Sequence, residues 1–251
     1  MFLYNARIAT HQEVFEGAIY LKNGKIEKVF RGEDYSRLLE YLRGGVESAE
    51  MDDVKKLDLE SKFLLPGLVD AHVHFREPGG SEKEDWVCGV RAALAGGVTT
   101  VFDMPNNNPA IVDAGALEEK RVLVRSAVVR NGNPMIHFGF FLGATVDNFD
   151  WIVEEFEKNG IGRGLSDVAG VKIYYGSSTG NLLMNKLEMI ERLLRVKGLI
   201  VAVHAEDEEC VKEGMAKYLS AGAEARAEAE AGGGAEDEDG GGVRLRRCIR
   251  K

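Results

Sequence analysis

His72 and His74 stand two residues apart at the end of an apolar run, in "GLVDAHVHFREPGG", residues 67–80. Side chains two apart in a β-strand point to one face. Asp70, His72 and His74 therefore share a face, with Ala71 and Val73 on the other. Two imidazoles side by side at the carboxyl end of a strand can ligate one divalent cation, and zinc accepts nitrogen ligands readily. A pair of ordinary buried or surface histidines would have the same spacing. His204 strengthens the ligand reading, because "LIVAVHAED" again ends an apolar run in a histidine. The remaining two of the 5 histidines read as structural. His137 lies inside "MIHFGFF", which favours a core or interface role, and His11 falls in an N-terminal segment where it is expected to be exposed.

Lys172 is the next anomaly, a lysine inside the apolar run of "GVKIYYGSSTG". Burying an unpaired ammonium is costly, so such a residue must snorkel, pair with an acid or lose its charge. An ion pair answers the problem by itself. Beside a histidine–metal cluster there is a second answer: the neutral amine captures carbon dioxide, and the resulting carbamate has two oxygens that can bridge two metals. Arg76 follows the histidine pair, and its planar fork suits a carboxylate. Asn106, in "FDMPNNNP", can reach a shared pocket with its amide, although a turn role for "PNNNP" fits equally well.

These residues need a scaffold, and the pattern supplies one. From about Phe63 the chain alternates strand, loop and helix. Strands are expected at 64–74, 98–104, 135–142, 170–175 and 199–204. Helices are expected at 82–95, 113–129, 147–158, 184–197 and 206–219, the first opened by a Ser81–Glu84 capping box. Short apolar strands alternating with such helices imply parallel βα units covered by helices on both faces. Five units between Ser61 and Leu219 take about 32 residues each, and eight would need roughly 250, the usual size of a closed (β/α)8 barrel. The fold class is α/β: a partial TIM-type barrel of about five units behind a small N-terminal β module, residues 1–62. That portion contains two strand-like runs around Asn23-Gly24, a tight-hairpin signal, and a last strand in "VKKLDLESKFLL". A helical excursion is expected within 31–50. The barrel portion spans 63–220.

The bulk numbers limit the partners. A formal charge of −9 argues against nucleic acid, whose phosphates need a basic surface. No apolar stretch reaches the roughly 18–20 residues of a membrane span. "MFLYNARIATHQ" lacks the build of a secretory signal. Cys88, Cys210 and Cys248 have no metal-like spacing and read as reduced thiols of a cytoplasmic protein. Residues 221–251 form a Gly/Ala/acidic stretch with a basic end, a composition expected to be disordered.

Together "DAHVHFREPG", "GGVTTVFDMPNNNP", "GVKIYYGSSTGNL" and "VHAED" resemble, in order and spacing, the dihydroorotases of the amidohydrolase superfamily. The resemblance covers about residues 1–219. It implies a zinc-dependent hydrolase on a TIM-type barrel flanked by a small β-sandwich built from both chain ends, of which residues 1–62 are the N-terminal β-sandwich portion. It also implies that the enzyme interconverts N-carbamoyl-L-aspartate and (S)-dihydroorotate in pyrimidine synthesis. By position, it implies that His72 and His74 hold one zinc, and that a carbamylated Lys172 bridges to a second, which His204 helps to hold. Arg76 and Asn106, with His74 close by, would bind the substrate carboxylate. A homo-oligomer or a pyrimidine-pathway partner is compatible with it.

The resemblance further implies a general-base aspartate after an eighth strand and another histidine on a later strand. No histidine follows His204, and Asp237 and Asp239 sit in the low-complexity tail. The expectation is therefore a truncated or frame-shifted reading of a longer gene, with two open sheet edges and little activity of its own. Two other functions remain open. One is another cyclic amidohydrolase, an allantoinase or a hydantoinase-like enzyme, against which Arg76 argues. The other is a noncatalytic homologue acting as a structural partner.

Overall fold

The computed structural model describes residues 1–43, 54–130, 133–159, 165–176 and 181–231. The expectation of disorder for 232–251 lies outside the described residues, as do Cys248 and the loop residues 177–180. The chain divides into two compact units, one of residues 1–103 and 123–139, the other of residues 104–122 and 140–251.

The first unit begins with a sheet of β1 (Phe2–Ala9), β2 (Val14–Lys22) and β3 (Lys25–Phe30). Asn23 and Gly24 both take positive φ, 52° and 73°, which is what a two-residue hairpin of right-handed twist demands. Helix α1 (Gly32–Leu42) supplies the expected helical excursion and buries Tyr35 and Leu38 against Phe2 and Ala18. The final strand of this portion is not continuous. It splits into β4 (Lys56–Asp58) and β5 (Phe63–Leu64), both pairing parallel with β1. Between them Glu60 and Ser61 adopt φ of 51° and 60°, a left-handed step that no extended strand accommodates. The portion is therefore one small mixed sheet with α1 on one face.

Next come β6 (Leu68–Val73), α2 (Trp86–Ala95) and β7 (Val98–Asp103), a βαβ unit in which β6 and β7 pair in parallel. Helix α2 starts later than the Ser81–Glu84 box implies. Residues 81–83 form a turn, and Asp85 caps the helix by accepting a hydrogen bond from the Cys88 amide at 2.7 Å. The same device opens two later helices. Asp113 accepts from the Ala116 amide at the start of α3 (Ala114–Val128), and Asp207 accepts from the Cys210 amide at the start of α6 (Glu208–Ala231). Aspartate and serine are both favoured N-caps, and here it is Asp85 that makes the capping bond and sets the boundary. Between α3 and the next long strand lies a short hairpin, β8 (Val129–Arg130) with β9 (Asn133–Pro134).

The second unit holds β10 (His137–Ala144) from Phe140 on, α4 (Phe149–Asn159), β11 (Val168–Tyr175), α5 (Leu187–Leu194), β12 (Val201–Ala205) and α6, with β10, β11 and β12 paired in parallel. Its core is aliphatic, with Leu142, Ile152, Val171, Ile173, Leu182, Met184 and Leu193 almost fully buried. The protein is thus a partial (β/α) barrel of about five βα units with a separate N-terminal sheet.

Three expectations need correction. Helix α6 runs through Ala231, so residues 221–231 are helical; "AEARAEAEA" is rich in the strongest helix formers, and propensity outweighs low complexity there. His137 is exposed at the start of β10 and is not a core residue. Nor are all five strands covered on both faces. Among the described residues both β6 and β12 are edge strands, and Leu68 (58%), Val69 (61%) and Ile200 (58%), the last beside β12, are open to solvent. Those are the unpaired edges that five strands leave.

The caps give a measurable expectation. Hydrogen bonding from the Cys88 amide holds the Asp85 carboxyl below its ordinary range. A depressed carboxylate contributes stability above its unfolded pKa and loses it as the pH falls through the folded one. Urea unfolding should therefore show Asp85→Ala to be less stable than the parent at neutral pH, with the gap closing in acid. A constant gap across that range would count against the cap.

Candidate metal and carboxylate site

The first unit places His72 in β6 and His74 just beyond it, with ring centroids 5.1 Å apart and planes inclined at 56°. The strand is not regular here. The β6–β7 register slips between Asp70 and Val73, and the Asp70 carboxylate accepts a hydrogen bond from the His72 amide at 3.0 Å. Strict alternation of Asp70, His72 and His74 is thus interrupted, yet the two imidazoles remain side by side. Each ligating nitrogen reaches about 2 Å to zinc, so rings this close fit one ion and supply two of its four positions. Among the described residues, no group of three or more histidine, cysteine, aspartate or glutamate side chains is assembled for a metal.

Past the pair, "FREPGG" folds back onto the start of α2. The Arg76 amide donates to the Glu84 carbonyl at 3.1 Å, and the Glu77 carboxylate accepts from the Trp86 amide at 3.1 Å. Gly79, at φ 87°, lets the turn close. Arg76 itself is half-buried.

In the second unit, strand register brings two candidates onto one face. Lys172 pairs with Ala202 and Tyr174 with His204 across β11 and β12. Positions two apart share a face, so Lys172, Tyr174 and His204 line up. The Lys172 Nζ lies 5.1 Å from the centre of the Tyr174 ring, which in turn lies 6.1 Å from the His204 ring. Lys172 is only 3% exposed, and burial lowers its pKa. Among the described residues no carboxylate pairs with it. His204 keeps its Nε2 within 3.0 Å of Glu206 Oε1. A carboxylate on one ring nitrogen fixes the tautomer and leaves Nδ1 to ligate.

Asn106 lies half-buried in the loop after β7. The neighbouring Asn107 accepts a hydrogen bond from the buried Lys120 Nζ at 2.6 Å, and Lys120 also lies over the Phe140 ring at 5.5 Å. Motif reasoning passes over Lys120, but its signal is present in the sequence. It occupies the apolar stripe of α3 with Leu117, Val124 and Val128, all buried. Asp103, also fully buried, carries the same signal as His72, a polar residue at the carboxyl end of an apolar strand.

Residues 63–228 match the Amidohydrolase family. The chain is 34% identical over 207 residues to the dihydroorotase of Methanosarcina acetivorans, covering 82% of this chain and 38% of that protein. It is 41% identical over 144 residues to the multifunctional protein CAD of Squalus acanthias, covering 57% of this chain and 6% of that protein. Among solved structures, the L-hydantoinase of Arthrobacter aurescens superimposes with a TM-score of 0.66 at 20% identity, covering 88% of this chain and 44% of that one. At that identity the likeness is one of fold. The chain spans about two fifths of the length of the curated dihydroorotases it matches. With the motif order and the parallel βα units already in place, these matches establish that the chain belongs to the amidohydrolase family and is related to its dihydroorotases.

Proposed function

We propose that the chain carries the metal-ligating and carboxylate-binding groups of a dihydroorotase, which interconverts N-carbamoyl-L-aspartate and (S)-dihydroorotate. The observation that carries this reading is Lys172, buried without a carboxylate partner among the described residues, on the same strand face as His204. Such a lysine has a purpose if it works as a neutral amine. Its nitrogen attacks carbon dioxide, an N–C bond forms, one proton leaves, and a costly cation becomes a carbamate anion. In this reading His72, His74 and His204 are the imidazole ligands and carbamylated Lys172 the bridge of a two-zinc site. Zinc, when bound, supplies an acidified water and polarises the amide carbonyl.

The protein's own groups do the rest. His72 and His74 need their adjacent rings held still, because a pair that drifts apart no longer reaches one ion. Glu206 holds the His204 ring by Nε2. Arg76 takes the substrate carboxylate through two parallel N–H···O bonds, and the Asn106 amide adds a third donor. This fixes the ring amide relative to the ligand set, which lowers the barrier by pre-paying orientation. Arg76 and the dihydroorotase relatives favour this substrate over hydantoin or allantoin, neither of which presents that carboxylate. The exposed, unpaired Cys88 and Cys210 support a reducing, cytoplasmic setting. No helix among the described residues is long and apolar enough to cross a membrane.

The test joins residues 1–219 to the C-terminal portion of the Methanosarcina acetivorans dihydroorotase and assays dihydroorotate, hydantoin and allantoin. Turnover of dihydroorotate, abolished by His72→Ala and weakened chiefly in KM by Arg76→Lys, is the expected result. Turnover of hydantoin that is indifferent to Arg76 would sink the assignment. Zinc content of the unaltered chain, lost in the His72→Ala and His74→Ala double variant, gives a second reading should the chimera not fold.

A further inference from the structure

The pair of imidazoles stands on an edge strand, where neighbours on only one side hold the backbone in place. Phe75, the residue between His74 and Arg76, is nonetheless locked from two directions. Its amide donates to Asp103 Oδ1 at 2.8 Å, and Asp103 is completely buried at the end of β7. Its ring, 6% exposed, meets Trp86 of α2 edge-on at 4.8 Å. The ring also sits in the notch that Gly89 leaves. A Cβ on Gly89 would come within 2.5 Å of Phe75 Cε1. Register puts Val73 opposite Asp103, directly after the slip in β6.

The buried Asp103 carboxylate holds one backbone position, the Phe75 amide, and that position lies between His74 and Arg76.

We propose that Asp103 is a positioning residue for the His72–His74 pair: by clamping the Phe75 amide it fixes the angle at which the chain leaves β6, and with it the distance between the two imidazoles. The proposal rests on the reading of those histidines as metal ligands. Groups that orient ligands in this way typically change metal affinity by about 10- to 100-fold when removed.

Cobalt(II) titration of the full chain, followed by visible absorption, measures that affinity apart from any turnover. The part of the signal lost in His72→Ala belongs to the pair. Asp103→Ala should weaken it by about tenfold or more, while Asp103→Asn, which keeps an acceptor at the same reach, should recover most of the affinity. If Asp103→Ala does not fold, Asp103→Ser, whose hydroxyl is too short to reach Phe75, takes its place. Ile152→Ala, a core variant of the other unit, serves as the stability control and should leave the affinity unchanged. Cobalt binding in Asp103→Ala equal to that of the parent would overturn the proposal, as would equal weakening in Ile152→Ala. If His72→Ala and the parent bind cobalt alike, it is the ligand reading that fails. Nuclear Overhauser cross-peaks between the two rings in the metal-free chain then decide the role of Asp103. Cross-peaks that vanish in Asp103→Ala and persist in Asp103→Asn uphold it, and cross-peaks unchanged in both overturn it.

Discussion

Replacing Gly176 with alanine is expected to destabilise the second unit by about 3–5 kcal/mol, combining overpacking with a backbone that an L side chain resists. Gly176 ends β11 at φ 97°, outside the region a β-carbon tolerates. A Cβ there would also fall 2.3 Å from the Glu206 carbonyl oxygen and 3.0 Å from its carbon. Those are backbone atoms and cannot rotate aside. The neighbouring strand is held close because the Glu206 amide donates to the Tyr175 carbonyl at 2.9 Å. Relief of the clash must therefore move the end of β12, which carries His204 and the Glu206 carboxylate against its Nε2. Thermal unfolding of Gly176→Ala against the parent checks the stability. The His204 ring resonances in the folded fraction check the displacement. Alanine tolerated at the cost of an ordinary surface substitution would mean that the β11–β12 juncture is looser than its hydrogen bonds indicate. Gly198 also has a positive φ, 80°, but a Cβ there meets nothing within 4 Å, so its alanine variant should lose much less.

Much of this arrangement is legible in the residues. His72 and His204 stand out near the carboxyl ends of apolar runs and Lys172 inside one, because a polar side chain there breaks the pattern that burial alone would write. Asn23-Gly24 declares its hairpin because two successive positive φ angles exclude nearly every other dipeptide. Less legible is anything that depends on where a neighbour stands. The Ser81–Glu84 box satisfies a local rule, yet Asp85 begins α2, because the turn must first return Glu77 and Arg76 to the helix end. The break between β4 and β5 is hidden in "DLESKFL", since neither Glu60 nor Ser61 advertises a left-handed backbone. Asp103 reads as the last letter of a strand until its carboxylate is seen under the Phe75 amide. Exposure of Leu68, Val69 and Ile200 cannot be read locally at all, because an apolar strand is written the same way whether or not another strand lies beside it.

The amine of Lys172 offers the sharpest test of why a lysine sits in β11. Lys172→Met keeps most of the stem volume and removes the charge, so the metal-free chain should gain about 1–4 kcal/mol at neutral pH, the range found when buried ionic groups give way to apolar ones of similar size. Loss of the cation–π contact with Tyr174 works against this, but by only about 0.5–2 kcal/mol. The sign with pH follows from burial, which pushes the lysine below its usual 10.5. Between the lowered value and 10.5 the unfolded chain holds a proton that the folded chain has shed. The parent therefore gains stability as the pH rises through that window and then levels off. Methionine has no such window. The advantage of Lys172→Met should be largest at and below the lowered pKa and should shrink toward pH 10.5, as urea unfolding at a series of pH values will show. Bicarbonate supplies the decisive arm. A carbamate forms only on the folded chain's neutral amine, so added bicarbonate should stabilise the parent by mass action and leave Lys172→Met unmoved. Equal stabilisation of both proteins would remove the carbamate from the site, and a variant less stable than the parent at every pH would show that the ammonium is welcome where it lies.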